Sequence, residues 1–232
     1  MFEVKPRTYG SDMNGMLIVN KPAGITSHDV VDVIRRKFNI KKVGHTGTLD
    51  PMATGVLVIL IGRATKLSVT FVNDDKEYIA TLFLGKSTDT QDSTGTIAEE
   101  RSINGNGLDI DKVKKVMDEF RGEIKQVPPM VSAKKHKGRK LYQLARRGET
   151  VAREPRSIKI HEIRLLDFKL PEIVFRVKCT KGTYVRTLCE DIGKTIGYPA
   201  HMSALVRTAS GRFTLKEAKG LEDISEKDIR RI

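Results

Sequence analysis

The stretch Gly44-His45-Thr46-Gly47-Thr48-Leu49-Asp50-Pro51-Met52-Ala53-Thr54-Gly55 places one carboxylate, Asp50, in a loop crowded with glycine, threonine and proline. The apolar run Val56-Leu57-Val58-Ile59-Leu60-Ile61 follows at once and reads as a buried strand. A carboxylate held on a stiff loop at a strand's edge suits attack on an electrophilic carbon better than a core position does. Asp-Pro is also an ordinary turn, so residue type alone leaves a turn and a nucleophile both open. A second segment, Lys181-Gly182-Thr183-Tyr184-Val185-Arg186-Thr187-Leu188, offers a guanidinium and a phenol. An arginine fixes a carboxylate bidentately and keeps it ionised, lowering an Asp pKa by roughly 1–3 units. A surface ion pair would use the same residue. Tyr78 stands at the start of an alternating stretch, where on residue type alone packing at a strand edge is its ordinary use.

The elements that must position these groups are legible in outline. Met16 to Val19 reads as a strand, Asn20 to Gly24 as a turn, and Ser27 as the cap of a helix from about Asp29 to Phe38. Glu77 to Leu84 alternates as a strand, and Gly85 to Gly95 is a polar loop. Asp109 or Asp111 can cap a helix bearing Val113, Val116, Met117 and Phe120. The Pro128-Pro129 pair breaks the chain, and Leu141 to Arg147 predicts a short helix closed by Gly148. Ile158 to Phe168 and Ile173 to Cys179 read as strands separated by a turn at Pro171. Thr183 is placed to cap a helix carrying Leu188, Ile192 and Ile196 that ends at Gly197. Leu205–Arg207 and Arg212–Thr214 look extended. Strands and helices mix without a βαβ rhythm, which predicts an α+β fold with one mixed or mostly antiparallel sheet.

Charge points to the partner. The net charge is +13, which favours a polyanion. Lys134, Lys135, Lys137, Arg139, Lys140, Arg146 and Arg147 crowd the segment from Ser132 to Gly148, which holds no acidic residue. The heavy use of Lys, Arg and Glu is a thermophile-like signature. Cys179 and Cys189 sit among apolar residues, as buried thiols in a reducing compartment do. No apolar stretch reaches the roughly 18 residues of a membrane span, and the N-terminus shows no signal-peptide core; a cytoplasmic location is expected. Gly85-Lys86-Ser87 and Gly193-Lys194-Thr195 fail as P-loops, because Ala80 and Leu188 stand where the upstream glycine belongs. Asp89 and Asp92 miss the EF-hand spacing, so a turn capping its own backbone is expected there, with no metal.

Taken together, the Asp50 string and the Lys181–Leu188 segment resemble the catalytic motifs of TruB-type tRNA pseudouridine synthases. So do Asp74-Asp75-Lys76-Glu77-Tyr78, Ser203-Ala204-Leu205-Val206-Arg207-Thr208, Lys21-Pro22, the Lys66 segment, and Val127-Pro128-Pro129-Met130-Val131-Ser132-Ala133-Lys134-Lys135 with Gly138 and Leu141-Tyr142. The resemblance runs from about Asn14 to Leu221. It implies the pseudouridine synthase fold and conversion of uridine to pseudouridine in the T-loop of tRNA, at tRNA position 55. Asp50 would be the nucleophile, attacking ribose C1′ or uracil C6. Arg186 would pair with it, and Tyr78 would stack on the base and is a candidate for helping remove the C5 proton. Tyr184 and Leu205 would wall the pocket. His45 would bind near the extruded nucleotide without moving a proton, and Lys21 and Lys66 would support the site and meet phosphate. The basic segment within about 127–151 would clamp RNA. An isomerisation implies no cofactor and no metal, and the tRNA T-stem-loop is the expected partner of a monomer.

The expected organisation is a flexible segment 1–13, a catalytic domain 14–222 and a tail 223–232, without the small PUA domain that bacterial-type members usually carry next. A non-catalytic RNA-binding or RNA-folding protein on the same fold would share the basic segment, and a pseudouridine synthase for another RNA would share the nucleophile.

Overall fold

The computed structural model describes residues 13–104, 107–132, 135–136, 138–145 and 147–232, which divide into two compact units. The first comprises the chain up to Asp74 together with Arg207–Ile232, and the second comprises Asp75–Val206. The fold is α+β, with mixed sheets flanked by a few helices.

In the first unit the strand Gly15–Lys21 pairs antiparallel with Thr54–Ile61, in a register running from Gly15 opposite Ile61 to Lys21 opposite Gly55. Val43–His45 lies antiparallel on the free half of Thr54–Ile61, and Lys219–Gly220 lies parallel to Gly15–Lys21. Both faces of the central pair are covered. Leu17, Val19, Leu57, Ile59 and Ile61 pack against Val30, Val31, Ile34 and Phe38 of the helix Ser27–Lys37. Met16, Ile18, Val56, Val58 and Leu60 pack on the other side with Ala64 and Phe213. Two buried faces explain why Val56–Ile61 is uninterruptedly apolar and does not alternate. The charged stretch after Lys216 also folds onto this unit: Ile224 is buried in the first cluster, and Arg230 and Met16 exchange backbone hydrogen bonds of 2.9 Å.

The helix expected after a Ser27 cap is capped by Thr26. Its hydroxyl accepts from the Asp29 amide, and the Asp29 carboxylate accepts from the Thr26 amide, a reciprocal capping box. Ser27 is the first helical residue, and its hydroxyl is committed elsewhere.

In the second unit Lys76–Leu84, Glu172–Cys179, Arg156–Lys169 and Gly122–Gln126 lie side by side, each antiparallel to its neighbour. Strict alternation along Lys76–Leu84 turns Tyr78, Ala80 and Leu82 inward with Ile173, Phe175 and Val177. The helices Ile110–Glu119 and Val185–Ile196 pack on each other and on this sheet through Val113, Val116, Met117, Leu188, Cys189 and Ile192. Asp109 supplies the cap of the former, accepting from the Lys112 amide at 2.8 Å. Thr183 does not cap the latter; it donates to the Thr180 carbonyl, and Tyr184 takes the cap position. Gly197 ends that helix in the left-handed conformation, with φ +105°. The strand Ala200–Ser210 crosses the division between units after Val206 and is longer than the extended segment the sequence predicts.

Gly55 is one of the tightest backbone approaches in the first unit. Its φ is +102°, and a Cβ there would lie 2.3 Å from the Arg207 carbonyl oxygen and 2.8 Å from its amide nitrogen. Strain of about 1–3 kcal/mol for the left-handed residue adds to a clash with backbone that cannot rotate away. Gly55→Ala is therefore expected to lower the urea midpoint by the equivalent of about 2 kcal/mol or more. An unchanged midpoint would mean that the backbone at Arg207 yields freely.

Candidate active site

The Asp50 loop is built in the first unit by donors from other segments. The Ser27 hydroxyl accepts from the Leu49 amide at 2.8 Å and donates to the Leu49 carbonyl at 3.1 Å. The Gly24 amide donates to the Pro51 carbonyl at 2.9 Å, and the Ala53 amide closes a turn onto the Asp50 carbonyl at 3.0 Å. Thr46 is joined to Val58 through its amide. Asp50 itself is half-buried, between buried Leu49 and exposed Pro51.

Lys21 is fully buried, with 0% of its surface exposed. Its ammonium donates to the carbonyls of Pro22 and Ile25 at 2.7 Å and of Pro51 at 3.2 Å, so its three N–H groups meet three oxygens. Burial pushes its pKa down to about 8; the Asp50 carboxylate opposes that shift and the Arg207 guanidinium adds to it. Lys21 thus lies beneath the loop with its ammonium spent on backbone carbonyls.

His45 ends the short strand Val43–His45. Its Nδ1 accepts from the Gly47 amide at 3.4 Å, which requires a ring without a proton on that nitrogen. Burial lowers its pKa first, with smaller contributions from the charges of Arg207 and His28. The ring is therefore neutral near pH 7, with its proton on Nε2. Lys66 stands exposed on the 3-10 turn Gly62–Leu67.

The second unit contains Tyr78, Tyr184, Arg186 and Leu205. Tyr78 is 9% exposed on Lys76–Leu84, and Leu205 is 7% exposed on Ala200–Ser210. Tyr184 is half-buried, and its peptide unit is clasped by buried Gln126: Oε1 accepts from the Tyr184 amide at 2.8 Å, and Nε2 donates to its carbonyl at 3.1 Å. Arg186 is buried at the start of the helix. Its Nη2 donates to the Val131 carbonyl at 2.7 Å and its Nη1 to the Thr90 carbonyl at 3.4 Å, while Nη1 lies 3.5 Å from the Asp92 carboxylate. The Asp92 carboxylate also accepts from the Thr94 amide and from the hydroxyls of Thr90 and Thr94 at 2.6–3.0 Å. The Asp89/Asp92 loop is thus a turn that caps its own backbone, as its spacing predicts, and it also orients Arg186. Among the described residues no group of acidic, histidine and cysteine side chains is arranged to hold a metal ion.

Of the basic segment, Arg139 and Arg147 are exposed. Lys135 and Lys140 lie opposite each other in the backbone of a small hairpin. Lys134, Lys137 and Arg146 lie outside the described residues. The two cysteines are buried, and burial raises both thiol pKa values, Cys179 to about 11, so neither is a nucleophile.

Sequence reasoning missed Ser27's loop contacts, Gln126, Asp92 and above all Arg207. Arg207 has the inward parity of Leu205 on its strand, and a charge at an inward position was the available signal.

A model described as the N-terminal domain of TruB family pseudouridylate synthases matches residues 35–185, and one described as the tRNA pseudouridylate synthase B C-terminal domain matches residues 186–230. The tRNA pseudouridine synthase B of Francisella tularensis subsp. tularensis (strain WY96-3418) is 49% identical over 215 residues, which cover 93% of this chain and 71% of the relative. That of Alkaliphilus oremlandii (strain OhILAs) is 48% identical over 212 residues, covering 91% and 70%. Among solved structures, a Cbf5-Nop10-Gar1 complex matches with TM-score 0.73 and 32% identity over 94% of this chain and 60% of that one. An H/ACA RNP bound to a substrate RNA containing 2′-deoxyuridine matches with TM-score 0.67 and 31% identity over 90% and 51%. The chain therefore spans little more than half the length of these two structural neighbours.

The Lys21 site makes a pH prediction. Between pH 8 and about 10.4 the folded protein holds fewer protons at Lys21 than the unfolded chain does. Its contribution to stability therefore rises with pH through that window. The neutral amine has only two N–H donors for three carbonyls, so the loop loosens while the fold does not. Activity is expected to fall with an apparent pKa of about 8 without a matching fall in melting temperature. In Lys21→Met that alkaline limb should vanish from whatever activity remains. A limb that persists unchanged would assign the titration to another group.

Proposed function

Because this chain belongs to the TruB family of pseudouridylate synthases, we propose that it isomerises uridine to pseudouridine in the T-loop of tRNA, at tRNA position 55, with Asp50 as the nucleophile. The observation that carries this reading is the Asp50 loop: one half-buried carboxylate on a backbone pinned by Ser27, Lys21 and Arg207. A turn that served only to reverse the chain would need no such support.

The reaction breaks the N-glycosidic bond between uracil N1 and ribose C1′, turns the base, and joins C5 to C1′. The C5 proton leaves and N1 ends protonated, so atoms and electrons balance without an oxidant or a second substrate. The base must first leave the RNA stack, at a cost of a few kcal/mol. In this reading Tyr78, Tyr184 and Leu205 receive the extruded uracil. Arg186, by the family resemblance, keeps the nucleophile ionised. Neutral His45 and exposed Lys66 meet the displaced strand. Exposed Arg139 and Arg147, with the lysines of the same segment, hold phosphates, and RNA recognition then rests on loop shape and backbone charge.

The decisive assay is tritium release from a T-stem-loop labelled at uracil C5. The wild type is expected to release tritium, and Asp50→Ala to release none while its affinity for the RNA stays within about threefold. Retained binding without release by either protein would sink the enzymatic reading in favour of an RNA-binding protein. Arg139→Ala combined with Arg147→Ala should weaken binding and reduce the slope of log affinity against log salt by about 0.7–0.9 for each phosphate no longer neutralised. An unaltered slope would remove both residues from the RNA interface.

A further inference from the structure

Arg207 is among the largest fully buried side chains, 2% exposed, and no bond-making or bond-breaking step of the proposed chemistry assigns it a part. Its guanidinium reaches three backbone carbonyls of the first unit: Nε to Val56 at 2.6 Å, Nη2 to Gly47 at 3.1 Å and Nη1 to Thr48 at 3.5 Å. Those carbonyls fall on both sides of Asp50 in the chain. One rigid, planar group therefore ties the entry of the loop to its exit. Gly55 brings the exit strand against the backbone of Arg207 itself, so the clamp is anchored at its root. Ser27 holds Leu49 and Lys21 holds Pro51, the two neighbours of Asp50.

The energetics argue that this arrangement is not there for stability. A buried cation is costly unless compensated, and carbonyl dipoles compensate less than a carboxylate does. Arg207 is also near enough to Lys21 and His45 for its charge to depress the pKa of each. Two buried cations around one loop raise the cost further. A methionine of similar length would fill the space without it. What methionine could not do is bind both ends of the loop at once, because only a guanidinium presents a fixed fork of donors.

We propose that Arg207 is a positioning residue for the reaction: it touches no substrate, and it holds the two ends of the Asp50 loop so that the carboxylate is presented in one orientation. The inference rests on the functional reading above, and the experiment separates the two. Arg207→Met and Arg207→Lys would each be compared with wild type for melting temperature, RNA dissociation constant and single-turnover rate of tritium release. Amide hydrogen exchange would be followed at Leu49 and Ala53 in the loop and along Gly15–Lys21 as a control.

The expected result is folded variants that bind RNA within about threefold of wild type. The single-turnover rate should fall about 100-fold in Arg207→Met, the size of effect that a small misplacement of a reacting group produces. Arg207→Lys, which keeps the charge but lacks the fork, should recover only part of that loss. Exchange at Leu49 and Ala53 should accelerate at least about tenfold while Gly15–Lys21 stays protected. A purely structural role would instead lower the rate only in step with the folded fraction. That result, an unaltered rate in Arg207→Met, or failure of both variants to fold would overturn the proposal. If the wild type releases no tritium, the functional reading fails; unaltered loop exchange in Arg207→Met would still dismiss the clamp by itself, and accelerated exchange would leave it standing as a loop restraint.

Discussion

The structure around Asp50 depends on one requirement: the backbone of a loop that belongs to no sheet must still find hydrogen-bond partners. Leaving a buried carbonyl or amide unpaired costs roughly 1–3 kcal/mol. Here the partners are side chains brought from distant segments. Lys21 comes from the first strand, Ser27 from the first helix and Arg207 from a strand near the other end of the chain. The first strand and the first helix are themselves fixed by the apolar clusters on the two faces of the Gly15–Lys21 and Thr54–Ile61 pair. Burying both faces holds those strands in one register, and that register decides where the donors arrive.

This explains why Ser27 does not cap its helix. A hydroxyl can serve the first turn or the loop, but not both, and Thr26 is free to take the cap with Asp29 completing the box. Moving the cap by one residue turns Ser27 inward, where it is 1% exposed and both donates to and accepts from Leu49. A local propensity has been overridden by a tertiary hydrogen bond of comparable strength.

Much of the fold was legible in the chain because its signals are local. The unbroken run Val56–Ile61 announced a strand buried on both sides, the alternation from Glu77 announced one turned half inward, and Asp109 and Gly197 marked helix ends. Asp50 stood out by its dense glycine, threonine and proline setting, whereas Arg186 stood out only through the family resemblance of its segment. What was not legible depends on partners far apart in sequence. Gln126 clasps the peptide of Tyr184 across 58 positions, and Arg186 meets Asp92 from another element. Arg207 looked like one more basic residue in a basic chain. Only its inward parity beside Leu205 hinted otherwise, and parity by itself does not say which backbone waits there.

The basic residues of this protein thus fall into two physical classes. Lys21, Arg186 and Arg207 are buried, and carbonyl oxygens supply most of the contacts seen for them. Their charges are immobile, poorly screened, and oriented before any substrate arrives, which is how charge contributes to a reaction rather than to an encounter. Arg139, Arg147 and Lys66 are exposed, where salt attenuates the field of a charge. The net charge of +13 conceals this division. In the proposed function its exposed part serves capture of a polyanion. Of the buried part, Lys21 and Arg207 hold the backbone on either side of a single carboxylate, while Arg186 is itself held by Val131, Thr90 and Asp92.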